Sequence, residues 1–242
     1  MKKLMLGMVA AAAMVACADV ESSNIVGYGQ SDLRFGYSLV TPQFVTVGST
    51  GVALDSLQAL GTTANPASDS VSVSVVDEYG TPTATYLWND WAAATPCWVD
   101  EGYAPVDGVT VPAGQAFWTN GSSSEQGIQS AGEVGLNDVS INLRFGYMLT
   151  GNPFPVSIAL QDIVAGSTDA DASASDNVSI SKVDEYGTPV ATYLWNDWAA
   201  AEPCWVDEGY APVDGVTIAP GEGLWTNGSS EGQFIRFPAP EL

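Results

Sequence analysis

The chain contains no histidine, and only six of its 242 residues are lysine or arginine, against 28 aspartates and glutamates. Without imidazole there is no His-based catalytic triad, and the commonest ligand of transition metals is missing. A net charge of −22 repels phosphate backbones and anionic lipid surfaces, so nucleic acid is a poor partner. Cysteine is scarce: Cys17, Cys97 and Cys204 are the whole set, and lone thiols without histidine do not make a zinc site. Long apolar runs are scarce too. The one at residues 4–15 is too short to cross a bilayer, and the chain does not read as integral to a membrane. Such an excess of acid suits solubility in a salty or calcium-containing exterior.

What is present at the N-terminus is an export pattern. Lys2 and Lys3 precede the apolar run, and Ala16-Cys17-Ala18 supplies small residues at a cleavage site after Ala18. Residues 1–18 therefore read as a signal peptide, and the mature protein as secreted or on the surface of a bacterium. Val15-Ala16-Cys17 also resembles the end of a lipoprotein signal, which would anchor the chain through an acylated Cys17. Apolar residues make up 46% of the chain and aromatics 10%, enough for a packed core.

The dominant feature is a duplication. Residues 76–111 return as residues 183–218, and the two stretches differ only where Thr83 becomes Val190, Thr95 becomes Glu202 and Val111 becomes Ile218. The fold must then be two copies of one unit, each about the size of an ordinary small domain. Each copy opens on Leu-Arg-Phe-Gly-Tyr, at residues 33–37 and 143–147. That offset is three residues longer than for the main match, so copy one carries three extra residues between the two. Residues 19–32 read as a lead-in with one short strand around Ile25, Val26 and Tyr28. Residues 33–126 read as repeat one, the Gly/Ser-rich residues 127–142 as a linker, and residues 143–242 as repeat two with a C-terminal strand at 234–237.

Within each copy, Val71, Val73 and Val75 alternate with serines, as do Val178 and Ile180, the period of a strand with one buried face. Residues 79–82 and 186–189 are hairpin turns, and residues 109–119 with 216–226 read as closing hairpins. Residues 52–60 fit two turns of helix or an irregular crossover equally well. Short strands separated by turns at close spacing predict an all-β protein: two tandem β-sandwich or barrel-like repeats. Cys97 and Cys204 hold the same place in the two copies and are expected as separate, unbonded thiols.

Copy two opens on Tyr147-Met148-Leu149-Thr150-Gly151-Asn152-Pro153-Phe154-Pro155 and closes on Pro220-Gly221-Glu222-Gly223-Leu224-Trp225. This resembles secreted bacterial β-rich repeat domains with a Tyr-x-Leu-x-Gly-Asn-Pro-Phe-Pro opening and a Pro-Gly-x-Gly-x-Trp close. The resemblance implies a β fold outside the cytoplasm and brings no catalytic residue. Copy one departs from it, with Val40-Thr41-Pro42-Gln43-Phe44 in place of the Gly-Asn-Pro-Phe element.

Three chemistries are weighed on the remaining residues. Paired carboxylates such as Asp77-Glu78 and Asp100-Glu101 have the groups of a glycosidase, but they sit beside turn residues and recur in both copies, so no enzyme is expected. Asp169, Asp171 and Asp176 alternate with small residues like the oxygen ligands of a calcium loop, without its glycine or closing glutamate. No other cofactor is suggested. The eight tryptophans fall four to a copy. Trp88 and Trp118 fit strand interiors. Trp91 and Trp98, with Trp198 and Trp205, flank a turn, where exposed indole faces beside Asp and Asn suit sugar rings. The expected function is a structural or interaction role at the cell surface or outside it, toward a surface protein or an extracellular glycan; the alternative is a carbohydrate-binding module built on those four tryptophans. Oligomeric state is not readable from these residues.

Overall fold

The structure is a computed structural model that describes residues 26–241 except 47–48, 78–79 and 185. The segment expected as a signal peptide, Cys17 and the lead-in up to Ile25 lie outside the described residues. The chain is all-β. Among the described residues, no helix is long and apolar enough to cross a membrane.

Copy one runs through β1 (Val26–Asp32), β2 (Gly36–Val40), β3 (Gly51–Ala53), β4 (Leu57–Leu60), β5 (Ser72–Val76), β6 (Pro82–Asn89), β7 (Cys97–Val99), β8 (Thr110–Pro112), β9 (Phe117–Gly121) and β10 (Gly127–Glu133). Copy two repeats the series as β11 (Val139–Asn142), β12 (Gly146–Gly151), β13 (Ile158–Ala159), β14 (Val164–Ser167), β15 (Ser179–Val183), β16 (Pro189–Asn196), β17 (Cys204–Val206), β18 (Thr217–Ile218), β19 (Gly223–Gly228) and β20 (Gln233–Phe237). Each copy builds one antiparallel five-stranded sheet, in the orders β2-β9-β5-β6-β7 and β12-β19-β15-β16-β17. Each adds a three-stranded sheet, β1-β10-β4 or β11-β20-β14, and a two-stranded ribbon, β3-β8 or β13-β18.

The alternating apolar residues of both sheets meet in one core per copy. In copy two, Ile180, Leu224, Trp195 and Trp205 of the larger sheet pack with Ile235, Phe237 and Ala165 of the smaller one, and Ile158 and Ile218 of the ribbon close the end. Val73, Phe117, Trp98, Leu57, Ile128 and Val52 do the same in copy one. The ambiguous segment around residue 54 resolves into a single 3-10 turn, Leu54–Ser56, that leads directly into β4. Between β2 and β3 the offset between equivalent residues falls from 110 to 106, so copy one carries four extra residues there, and copy two regains one between β14 and β15, where the offset becomes 107.

Two sequence expectations are corrected. The stretch 127–142 is not a linker. It holds β10, the central strand of the smaller sheet in copy one, and β11, an edge strand of copy two. Its glycines serve close packing: a Cβ on Gly132 would strike the Val45 carbonyl of the segment that bridges to Glu133. By the same pairing β1 belongs to copy one, so the lead-in supplies a structural strand. The segments 109–119 and 216–226 are not hairpins either. β8 pairs with β3 while β9 pairs with β2 and β5, so the chain turns a corner between sheets at Pro112–Gln115.

The copies meet along a seam whose contacts repeat with partners exchanged. Thr41 donates its backbone N–H to Gly221, and Gly151 donates to Gly114. Val40 bridges Glu222, and Thr150 bridges Gln115. Trp225 lies against Gly80, and Trp118 against Gly187, so close that a Cβ on either glycine would enter the indole ring. Each relation maps onto the other by the offset between copies, which makes the seam pseudo-two-fold. Val76, Ala116 and Leu149 form its buried centre.

Candidate functional site

The tryptophans divide three ways. Trp98 and Trp205 are core residues, 2% and 1% exposed, and their indole N–H groups donate to the Leu57 and Ile163 carbonyls at 2.8 and 2.7 Å. The expectation that they join a binding face is overturned. Each lies in the middle of a short strand opposite Trp88 or Trp195, whose ring it meets edge-on at 5.2 or 5.3 Å. Trp118 and Trp225 stand half-buried at the seam. Trp91 and Trp198 are exposed, 61% and 60%.

The exposed pair is held by a built mount. β6 ends at Asn89, whose side chain is fully buried and whose Oδ1 accepts the N–H groups of Trp91 and Ala92 at 3.0 and 2.6 Å. Asn89 Nδ2 donates to Asp69 Oδ1 at 2.9 Å, and the Trp91 indole N–H donates to Asp69 Oδ2 at 3.1 Å. Tyr103 then lies beside the indole, centroids 5.1 Å apart and planes tilted by 31°. Its loop is set by Asp100, whose Oδ1 accepts from Gly102 and Ala104, both at 2.9 Å. Copy two reproduces the arrangement with Asn196, Asp176, Trp198, Tyr210 and Asp207; the rings are 5.2 Å apart at the same 31°.

Among the described residues, the non-glycine positions with positive φ are Asp69, Tyr103, Asp176 and Tyr210. All four belong to these two platforms. A left-handed tyrosine is uncommon and costs on the order of 1 kcal/mol or more, which the surrounding hydrogen bonds offset. Each platform thus presents a fixed, exposed pair of one indole and one phenol, with the indole N–H already bonded.

The calcium expectation is corrected at Asp176. Both of its carboxylate oxygens accept from protein donors, Asn196 Nδ2 at 2.8 Å and Trp198 Nε1 at 2.9 Å, so it mounts the tryptophan and does not join Asp169 and Asp171. Asp169 Oδ1 accepts the Asp171 amide at 3.0 Å in a local turn. Among the described residues, no group of three acid or thiol side chains is gathered where a metal ion could sit. Cys97 and Cys204 are half-buried free thiols in β7 and β17.

Sequence reasoning missed Tyr103, Tyr210 and Asp69. The signal for Asp69 was available: just after residues 62–66, where the copies diverge, Ala67-Ser68-Asp69 returns as Ala174-Ser175-Asp176 at the main offset. No family model, curated protein or solved structure matches this chain.

Proposed function

We propose that this is an exported binding protein with an interaction role at the cell surface or in the extracellular space, and that each copy binds through its Trp–Tyr platform. The observation that carries the reading is the strain at the mount: in both copies, left-handed residues and a buried asparagine hold a large indole out in water. An exposed tryptophan contributes little to folding, so a costly mount for it is explained by something that docks there. The carboxylates support interaction over reaction. Asp77, Asp100, Asp184 and Asp207 are each occupied with turn amides, as structural acids are.

A glycan is the second reading, favoured by the exposed indole that each mount holds next to Asp90 or Asp197 in the chain, acceptors suited to sugar hydroxyls. The test is co-sedimentation of the mature protein with cellulose, chitin and isolated bacterial envelope. Trp91→Ala with Trp198→Ala should abolish pelleting and leave stability within about 1 kcal/mol of the parent, as for exposed side chains. Undiminished pelleting by the double variant would remove the platforms from the reading.

A further inference from the structure

The seam carries a second kind of site. On the outer face of each five-stranded sheet, beside the axis, lies an aromatic-walled cleft. In copy two it has a volume of about 500 Å³, between Tyr147, Ser179, Ser181, Pro189, Thr192 and Trp225. In copy one the equivalent cleft, about 380 Å³, lies between Tyr37, Ser74, Pro82, Thr85 and Trp118, and its remaining wall is Tyr186 of the other copy. Both volumes fall in the range of about 300–1,000 Å³ typical of small-ligand sites. We propose that these paired clefts bind a neutral pyranose unit of a saccharide, and that the cleft of copy one is completed by Tyr186 of copy two.

Three observations specify the ligand. The first is charge: in a chain with 28 acids, neither cleft has a charged side chain among its described lining residues. Those residues offer a cation no carboxylate, and an anion would meet the field of the whole molecule. The second is the floor. Ser74 and Thr85 hydroxyls lie 2.9 Å apart, as do those of Ser181 and Thr192. Such a pair shares one hydrogen and keeps one O–H to donate and lone pairs to accept, which matches a sugar hydroxyl and leaves a hydrocarbon ligand poorly served. The third is the wall. The Trp225 N–H donates to the Gly187 carbonyl at 3.1 Å, and Tyr147 meets the ring edge-on at 6.0 Å. The indole edge is tied down, so it is the ring face that remains for the apolar C–H side of a pyranose.

The seam explains why Tyr186 stands where it does. The turn between β15 and β16 comes to the axis with Gly187 against Trp118, which puts the neighbouring Tyr186 over the cleft of copy one. Gly187 has a φ of +75°, and any side chain there would displace Trp118.

The experiment is a titration of the full mature chain with cellobiose, maltose and xylobiose, read at the indole N–H signals in a ¹H–¹⁵N spectrum. Digalacturonate serves as the charged control. Saturable shifts at Trp118 and Trp225 with at least one neutral disaccharide, and none with digalacturonate, are expected. Tyr186→Ala, at a 73% exposed position, should weaken the Trp118 response about fivefold to tenfold and leave the Trp225 response intact. Trp91→Ala with Trp198→Ala should leave both responses unchanged. Shifts confined to Trp91 and Trp198 would sustain the platforms and overturn the seam clefts. Silence at Trp118 and Trp225 with all three sugars would overturn the clefts too, without touching the platform result.

Discussion

Copy one and copy two share β6, β7 and the loops beyond them almost residue for residue, yet they solve the opposite end of the sandwich differently. In copy two, fully buried Asn152 donates through Nδ2 toward the carbonyls of Val156, Ala219 and Ile218 at 2.7, 3.1 and 3.2 Å, and accepts the Phe154 amide at 2.9 Å. Phe154 is thereby directed into the core. Copy one has neither the asparagine nor the short connection. Its Phe44 instead covers the smaller sheet, where Gly27 and Gly29 leave room for the ring. At the sheet end, Lys182 pairs with Glu222 at 3.0 Å and donates to the Thr217 carbonyl, where copy one places Val75 and Gln115. The platform end is held constant while the frame behind it diverges. Several networks can close a β core, but few arrangements hold an indole in one exposed pose.

The largest test of this comparison lies in what should be equal. Trp98→Ala and Trp205→Ala remove matched buried indoles and their hydrogen bonds, and each should cost about 3–5 kcal/mol in urea unfolding. A large inequality between them would show that the cores are less alike than their geometry. Asn152→Ala comes next and should act on copy two alone, by about 2 kcal/mol, because it strands buried carbonyls. Hydrogen exchange should locate the loss at β12 and β18 and spare β2 and β8. The Lys182–Glu222 pair is partly exposed, so a double-mutant cycle with Lys182→Val and Glu222→Gln should give a coupling of about 1 kcal/mol or less that fades with salt. The smallest effect belongs to Glu125. Hydrogen bonds from Asn65 and Thr62, both 2.9 Å, hold its carboxyl below the usual value of 4.5. A depressed folded-state pKa gives stability that is present above the unfolded value and lost as pH falls through the folded one. Glu125→Gln should flatten that small acid-side slope. Copy two has Gly232 at this place and should show no counterpart.

Much of the frame was legible in the residues. Val-Ser alternation placed β5, apolar alternation with a β-branched residue placed β15, and the Tyr-Gly-Thr-Pro turns and the strand at 234–237 were readable from composition. The strand β10 was not, because Gly-Ile-Gln-Ser-Ala-Gly looks like a flexible tether. Its identity lay in the offset, since Gln126-Gly127-Ile128 stands where Gln233-Phe234-Ile235 stands in copy two, and both glutamines reach a loop carbonyl, Pro66 or Ser173. Trp91 and Trp98 could not be told apart, seven residues from each other beside the same turn. Only the pairing of β6 with β7 turns one inward, and only the left-handed Asp69 fixes the other outward. The seam clefts were hidden for a related reason: the one in copy one takes Tyr186 from copy two, and local pattern says nothing about which surfaces of a repeat face its twin.

The reciprocal contacts at the seam have a consequence for how such a chain could arise. Each copy carries both halves of the contact, the tryptophan and the glycine turn that receives it, so its surface is complementary to itself, as in an isologous dimer. Two unlinked copies would have to meet by collision, and their pairing would fall away on dilution. Joined through the short span between β10 and β11, the partner is supplied at an effective concentration set by the tether and independent of the total protein concentration. Gene fusion thus replaces an equilibrium that dilution would defeat.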